Sequence, residues 1–445
     1  MESYICTTDN NLGRCLIGRE QYENLAHIGN KALSELNESE HILIYPNALT
    51  KAHGDIGKQK VFEILKKGED RYALSTGNLM GYIGVNDTQV RIRSRFAQSD
   101  DRDCFVHYLL SKAFHLNMFD LKYSLSNDAV FNLLYCLFVQ QLKRAYRQGI
   151  FKVYTRRLYN DTRLRGCIDI ARHIRENLPF CGNIAYTFRE RSDQSPLMML
   201  VRHAIEMIKA KPFGNYLLSG DKDIQSAVGM VMQATETYRS SDRMNVLRDN
   251  AQPVQHPYFT EYGVLQRISR MIVCGQKHRF GASQDQAYGV LFDGAWLWEQ
   301  YLAGLLCDLG FEHPDNIAGK KPLRLFEDSS GFRRYPDFIH HQRGIILDAK
   351  YKVLDDKHGD GETNCAYDRN DLHQVITYMY ITQVQRAGFV YPSHIETDKV
   401  HIGSLKGYGG EMFKIGLKIP QHVSDMTAFC KAMLLEEAAI KSFVF

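Results

Sequence analysis

The chain has 445 residues, too many for one ordinary hydrophobic core and enough for two or three domains of roughly 150 residues each. Apolar residues make up 44% and charged residues 24%, which excludes the disordered, collagen-like and low-complexity classes. The 55 basic residues are nearly balanced by 51 acidic ones, so the molecule is no polycation and any nucleic-acid surface must be local.

The N-terminal MESYICTTDNN has neither a basic region nor an apolar core, and no run of about 18 apolar residues follows. A cytoplasmic protein without signal peptide or membrane span is expected. Ten cysteines occur without one C-x-x-C pair, which predicts reduced thiols in place of a zinc knuckle or a disulfide framework. Neither G-x-x-x-x-G-K-[ST] nor a G-x-G-x-x-G after a strand is present, so any nucleotide hydrolysis falls to another chain.

Residues 1–100 read as a small β-rich domain. The apolar run 41–45 (HILIY), the segment 81–85 and the alternating 90–93 (VRIR) predict a small antiparallel sheet, with 61–67 as a helix between them. From Asp103 the period changes to about 3.6, clearest in Phe131, Leu134, Tyr135, Phe138 and Leu142. Ser126 or Asn127 serves as the cap of that helix, with Asp128 in its first turn and Gly149 as its stop. Further helices are predicted from Pro196 to about Lys209, capped by Ser195, and from Ile224 to about Tyr238. Residues 101–280 thus form a mainly helical region with a β insertion, whose strands run near Val153, Tyr154, Ile168 and Ile170. Across residues 141–175 ten Lys or Arg face only Asp161 and Asp169. Contact with DNA phosphates, contact with an acidic partner, and a solvated face all remain open for that stretch. Arg165, with Asp169 close by, reads as an internal salt bridge fixing a turn.

The polar segment 275–286 (GQKHRFGASQDQ) predicts a boundary, with a third domain over 287–445. It opens with a helix over 291–306, whose apolar face includes Phe292, Ala295, Trp296 and Leu302 and which carries Glu299. Two hairpin-like strands follow, 323–326 and 332–339, joined by the turn Asp328-Ser329-Ser330-Gly331 and holding Pro336-Asp337. Then comes the apolar strand 344–350, ending in Asp348-Ala349-Lys350. Side chains alternate along a strand, so Asp348 and Lys350 share a face, and a hairpin partner brings Asp337 beside them. Two converging carboxylates repel unless a cation lies between them, and their hard oxygens favour Mg2+, with Mn2+ as the alternative. A neighbouring ammonium has a separate use, orienting a water or stabilising developing negative charge. His340 and His341, adjacent on a strand, point to opposite faces and are not expected to bind zinc. Residues 355–370 lack the acid spacing of a calcium loop and are expected to link the catalytic strand to the next helix.

Pro336-Asp337 with Asp348-Ala349-Lys350, preceded by Glu299, resembles the PD-(D/E)xK nuclease superfamily, and Gln374 with Tyr378 matches the Q-x-x-x-Y element of its RecB-like branch. Leu291-Phe292-Asp293 with Trp298-Glu299, Leu164-Arg165-Gly166-Cys167-Ile168-Asp169, Asn177-Leu178-Pro179-Phe180 and Gly388-Phe389-Val390-Tyr391-Pro392 extend the likeness. Together they resemble McrC, the nuclease subunit of McrBC modification-dependent restriction systems, over roughly Tyr135 to Pro392. The resemblance implies an α+β multidomain chain ending in an α/β restriction-endonuclease-like domain with a central mixed sheet. It also implies Asp337 and Asp348 as metal ligands, Glu299 as a further or water-mediated ligand, Lys350 as the group that positions or activates the attacking water, and Gln374 and Tyr378 as substrate-orienting residues. The implied partners are a McrB-like hexameric AAA+ GTPase, whose pore the N-terminal half enters and whose GTP hydrolysis it stimulates, and double-stranded, modified DNA. A stand-alone RecB-like exonuclease and a catalytically silent adaptor are the rival readings.

Overall fold

Thr88, Val90 and Ile92 are buried while Gln89, Arg91 and Arg93 are half-buried, the period of two of a strand covered mainly on one face. The computed structural model describes every residue except 1–2, 30, 39–41, 47–59, 87, 98–102, 115–128, 275–286, 315–320, 329–331, 355–368, 408 and 445. The expected caps Ser126, Asn127 and Asp128, the segment 275–286, most of the turn after Asp328 and most of 355–370 therefore lie outside the described residues. The chain forms two compact units, one of Met1–Val130 with Ser283–Phe445 and one of Phe131–Ala282.

The first unit begins with β1 (Ser3–Thr8), β2 (Cys15–Gly18), α1 (Arg19–Gly29), α2 (Leu33–Glu38), β3 (Ile42–Tyr45), β4 (Phe62–Lys66), β5 (Arg71–Thr76), β6 (Leu79–Val85), β7 (Thr88–Arg93) and α3 (Cys104–Ala113). Residues 61–67, expected as a helix, instead hold β4, which pairs antiparallel with β5 from Phe62↔Thr76 to Lys66↔Tyr72. Local periodicity in so short an apolar run cannot separate the two states, and the pairing partner decides it.

The second unit holds α4 (Ala129–Arg147), β8 (Val153–Asp161), β9 (Cys167–Ile168), α5 (Ile170–Glu176), β10 (Ile184–Ser192), α6 (Pro196–Lys209), α7 (Gly214–Leu218), α8 (Lys222–Ala234), α9 (Arg243–Asp249) and α10 (Thr260–Cys274). Ser195 caps α6, its side chain accepting from Met198 N at 3.2 Å. Gly149, with φ of 85°, follows the end of α4. Ile170, expected in a strand, opens α5, because the Asp169 side chain caps that helix by accepting from Arg172 N at 3.1 Å. Strands β8, β10 and β9 form one antiparallel sheet. Much of the basic charge of residues 141–175 is paired internally: Arg157 with Glu190 at 2.8 Å, Arg172 with Glu176 at 3.7 Å and Lys143 with Asp221 at 2.6 Å. Arg165 pairs with Asp161 at 3.4 Å and not with Asp169, which is occupied as a cap.

The chain then returns to the first unit through β11 (Ala287–Asp293), α11 (Gly294–Leu306), β12 (Leu323–Arg324), β13 (Arg333–Arg334), β14 (Phe338–His340), β15 (Ile345–Ala349), α12 (Arg369–Thr382), β16 (Arg386–Ser393), β17 (Asp398–Ser404), β18 (Glu411–Lys418) and α13 (Met426–Val444). Residue 287 opens no separate domain. Strand β11 lies inside a five-stranded sheet of order β1-β7-β6-β11-β3, antiparallel to β6 and parallel to β3. That sheet is mixed, not antiparallel throughout, since β1 also runs parallel to β7. Gly81 makes the β6 to β11 contact feasible: with φ of 131°, any Cβ there would sit 2.2 Å from the Val290 carbonyl oxygen. The helix expected from residue 291 starts only at Gly294, because Asp293 ends the strand and caps the helix through Trp296 N at 2.8 Å. Its buried face is Leu297, Trp298, Tyr301, Leu302, Leu305 and Leu306, whereas Ala295 is exposed. A second mixed five-stranded sheet has the order β14-β15-β16-β18-β17. Among the described residues no helix is long and apolar enough to cross a membrane.

Candidate active site

Ile345, Ile346 and Leu347 are wholly buried, as befits a strand with neighbours on both edges and covered faces. Strand β14 pairs antiparallel with β15 from His340↔Ile345 to Phe338↔Leu347, and one further step along that register sets Asp337 opposite Asp348. The Ala349 amide donates to Asp337 Oδ2 at 2.7 Å, fixing the carboxylate against the strand end. Asp348 is 1% exposed, and its Oδ2 lies 2.7 Å from Lys350 Nζ. Among the described residues no donor besides Lys350 reaches that buried oxygen, so it keeps acceptor capacity.

Burial pushes Asp337 well above the usual carboxylate range, and the charges of Asp348 and Glu299 add to it. Burial raises Asp348 as well, against the attraction of Lys350. For Lys350, burial opposes the charged form but is outweighed by Asp348 and Asp371, which raise it. Two neighbouring carboxylates that disfavour joint ionisation, one with a spare oxygen, are a donor set suited to a hard divalent cation. Among the described residues no three His, Cys, Asp or Glu side chains converge as a complete metal cage.

Glu299, on α11, is near enough for its charge to raise Asp337. Its Oε1 is 3.5 Å from His313 Nε2, and His313 Nδ1 lies 2.8 Å from the Asp337 carbonyl oxygen. His313, stacked on Phe338, thus links the helix carboxylate to the backbone at Asp337.

Gln374 and Tyr378 face the site from α12 as the i, i+4 spacing requires. Lys350 Nζ donates to Gln374 Oε1 at 3.3 Å, Gln374 Nε2 donates to the Tyr378 hydroxyl at 2.6 Å, and that hydroxyl donates to the Tyr335 carbonyl at 3.0 Å. Tyr378 is 2% exposed, and burial pushes its phenol up to about 12. Both side chains hold protein groups: the ammonium of Lys350 and the backbone leading into Asp337.

Asp371 escaped the sequence reading. It sits in the first turn of α12, with Oδ1 3.1 Å from Lys350 Nζ and Oδ2 2.8 Å from Lys352 Nζ. Its position three residues before Gln374, on the same helical face, was the available signal. His313 had no such signal, because its partners Glu299 and Asp337 are far from it in sequence. His340 is buried beneath Phe311, while the side chain of His341 is largely exposed and 3.8 Å from Glu312, so the two do point apart.

The family model of the McrBC 5-methylcytosine restriction system component matches residues 74–392, well over half of the chain. The chain belongs to the McrBC family. The matched span includes β6, β7, the whole second unit and every residue of the site from Glu299 to Tyr378. Among solved structures, this McrBC family member is similar to a chain of the refined half-complex from the tetradecameric assembly of Thermococcus gammatolerans McrB AAA+ hexamers with bound McrC. Identity is 14%, coverage is 99% of this chain and 100% of that one, and the TM-score is 0.46. A chain of the Thermococcus gammatolerans McrBC complex matches at 11% identity, covering 68% of this chain and 87% of that one, with a TM-score of 0.32. No curated protein matches.

Proposed function

We propose that this McrBC family member is the DNA endonuclease subunit of a modification-dependent restriction system, hydrolysing phosphodiesters with a divalent metal in a PD-(D/E)xK site. The observation that carries the reading is the opposition of Asp337, just before β14, and buried Asp348 on β15, with Lys350 Nζ 2.7 Å from Asp348. Asp337 and Asp348 would hold Mg2+ or Mn2+, with Glu299 as a further or water-mediated ligand. Bound there, the metal supplies a lowered pKa for water and neutralisation of charge on the phosphoryl oxygens. Lys350 orients the attacking water and counters the negative charge that develops on the phosphate. Gln374 and Tyr378 keep Lys350 and the approach to Asp337 in place, so that the substrate meets a prearranged site.

The partner proposed is a McrB-like AAA+ GTPase hexamer, whose GTP hydrolysis this chain stimulates and which delivers modified double-stranded DNA. The test uses the full chain with that partner, GTP, Mg2+ and methylated duplex DNA. Asp348→Ala and Lys350→Ala each lower cleavage by about 1,000-fold or more while leaving GTPase stimulation at the wild-type level. Wild-type cleavage by either variant would overturn the active site. Efficient cutting by the chain alone would favour the stand-alone exonuclease, the reading to which the Gln374 and Tyr378 element also belongs.

A further inference from the structure

Lys350 stands one residue beyond the end of β15, where the ladder no longer holds the chain on both sides. Its own amide donates to the Val390 carbonyl at 2.9 Å, which anchors it on the β16 side. The next residue, Tyr351, is gripped by the N-terminal part of the same compact unit. The Tyr351 hydroxyl is 2.7 Å from Ser94 Oγ and 3.2 Å from the Met80 sulfur, and Arg95 Nη2 donates to the Tyr351 carbonyl at 2.7 Å. The Arg95 guanidinium also lies over the Tyr351 ring, 4.8 Å from its centre, with Phe96 edge-on at 5.0 Å.

Arg95 is itself held from behind. Its amide donates to Asp9 Oδ1 at 2.5 Å, its Nε lies 3.4 Å from Asp9 Oδ2, and its Nη2 donates to Asn78 Oδ1 at 3.1 Å. Asp9 is fully buried. The floor of the socket is Gly294, the first residue of α11, where a Cβ would come 2.7 Å from the Tyr351 ring. The same helix carries Glu299.

We propose that Arg95 is a positioning residue for the active site, acting through Tyr351 to fix the backbone from which Lys350 reaches Asp348. The proposal rests on the nuclease reading and gives the first hundred residues a part in it: they supply one of two backbone anchors flanking Lys350. Arg95 touches no reacting atom. Its effect follows from geometry, since a displacement of about 1 Å in a catalytic group costs on the order of 100-fold in rate.

The test compares wild type, Arg95→Ala, Arg95→Lys and Tyr351→Phe as full chains with the GTPase partner. Arg95→Ala should lower kcat by roughly 30-fold with KM for DNA within about twofold, and Mn2+ binding by calorimetry should stay unchanged because Asp337 and Asp348 are untouched. Arg95→Lys, which keeps a donor for the Tyr351 carbonyl, should recover part of the loss. Tyr351→Phe, which leaves the Arg95 and Asp9 pair intact, should lose roughly threefold to fivefold for the lost hydroxyl contact. Wild-type kcat in both Arg95→Ala and Tyr351→Phe, or a loss confined to KM, overturns the proposal. Hydrogen exchange over residues 345–354 gives a readout independent of cleavage: Arg95→Ala should speed exchange of the Lys350 amide about tenfold while β16 and β18 stay protected. If wild type and Asp348→Ala are equally unable to cut, the nuclease reading fails; unchanged exchange at Lys350 in Arg95→Ala would sink the socket on its own.

Discussion

Asp371 Oδ1 lies 3.1 Å from Lys350 Nζ, so the ammonium of the site is shared between a strand carboxylate and one from the first turn of the following helix. Asp371 also takes Lys352 at 2.8 Å, and the hydrogen bonds from Lys352 and Lys350 outweigh burial and lower its pKa. Removing this carboxylate frees Lys350 to swing without deleting it. Asp371→Ala is expected to reduce cleavage by roughly 10-fold, against about 1,000-fold or more in Lys350→Ala, with DNA binding retained. Equal, complete loss in both would show that Asp371 does more than hold the lysine.

Metal should stabilise the protein through the same carboxylates. Saturating Mn2+ at about 100 times its dissociation constant adds about 2.7 kcal/mol, visible as a rise in melting temperature. Asp348→Asn should abolish that rise. Asp337→Asn should also melt higher than wild type in metal-free buffer at pH 8, because burial and the charges of Asp348 and Glu299 disfavour the ionised Asp337. An unaltered metal response in Asp348→Asn would place the ion elsewhere.

Asp9 gives a pH signature to the socket around Arg95. Burial pushes its carboxyl up to about 7 despite the attraction of Arg95. A carboxyl with a raised folded-state pKa contributes stability that is complete below its unfolded pKa and is lost as pH rises through the folded value. The stability of Asp9→Asn relative to wild type should therefore grow between pH 4 and about 8, by at most roughly 4 kcal/mol. Chemical denaturation at several pH values measures this, and a flat difference would refute it.

Glu437, on α13, is buried and accepts hydrogen bonds from the Tyr108 hydroxyl at 2.6 Å and the Tyr301 hydroxyl at 3.0 Å. Its other oxygen is 3.6 Å from Lys112. Burial and the neighbouring carboxylate raise both phenols, so each acts as a donor at neutral pH. Glu437→Ala strands two buried hydroxyls and should cost about 3 kcal/mol, whereas Glu437→Gln, which keeps an acceptor oxygen, should cost clearly less. Equal losses in the two variants would mean that packing, and not the hydrogen bonds, ties α13 to α3 and α11.

The features legible in the sequence are those whose cause is local. Ser195 caps α6 because its hydroxyl needs only the amide three residues on, and α4 announces itself because its apolar stripe repeats within one element. Asp348 and Lys350 fall on one side because strand alternation is a property of the backbone, and Gln374 reaches Tyr378 because helical pitch brings i and i+4 together. Residues 291–293 misled, since a short apolar run suits helix and strand alike until its partners β6 and β3 are known.

By itself, then, the sequence determined the carboxylates, the lysine and the spacing of the candidate segment, because hydrophobic periodicity and side-chain alternation are written within a few residues. Only the tertiary structure decided that residues 1–130 and 283–445 make one unit, that Asp371 and His313 join the site, and that Arg95 grips Tyr351. Those relationships join residues up to some 250 positions apart, and strand pairing and side-chain packing at that separation leave no periodic trace in the chain.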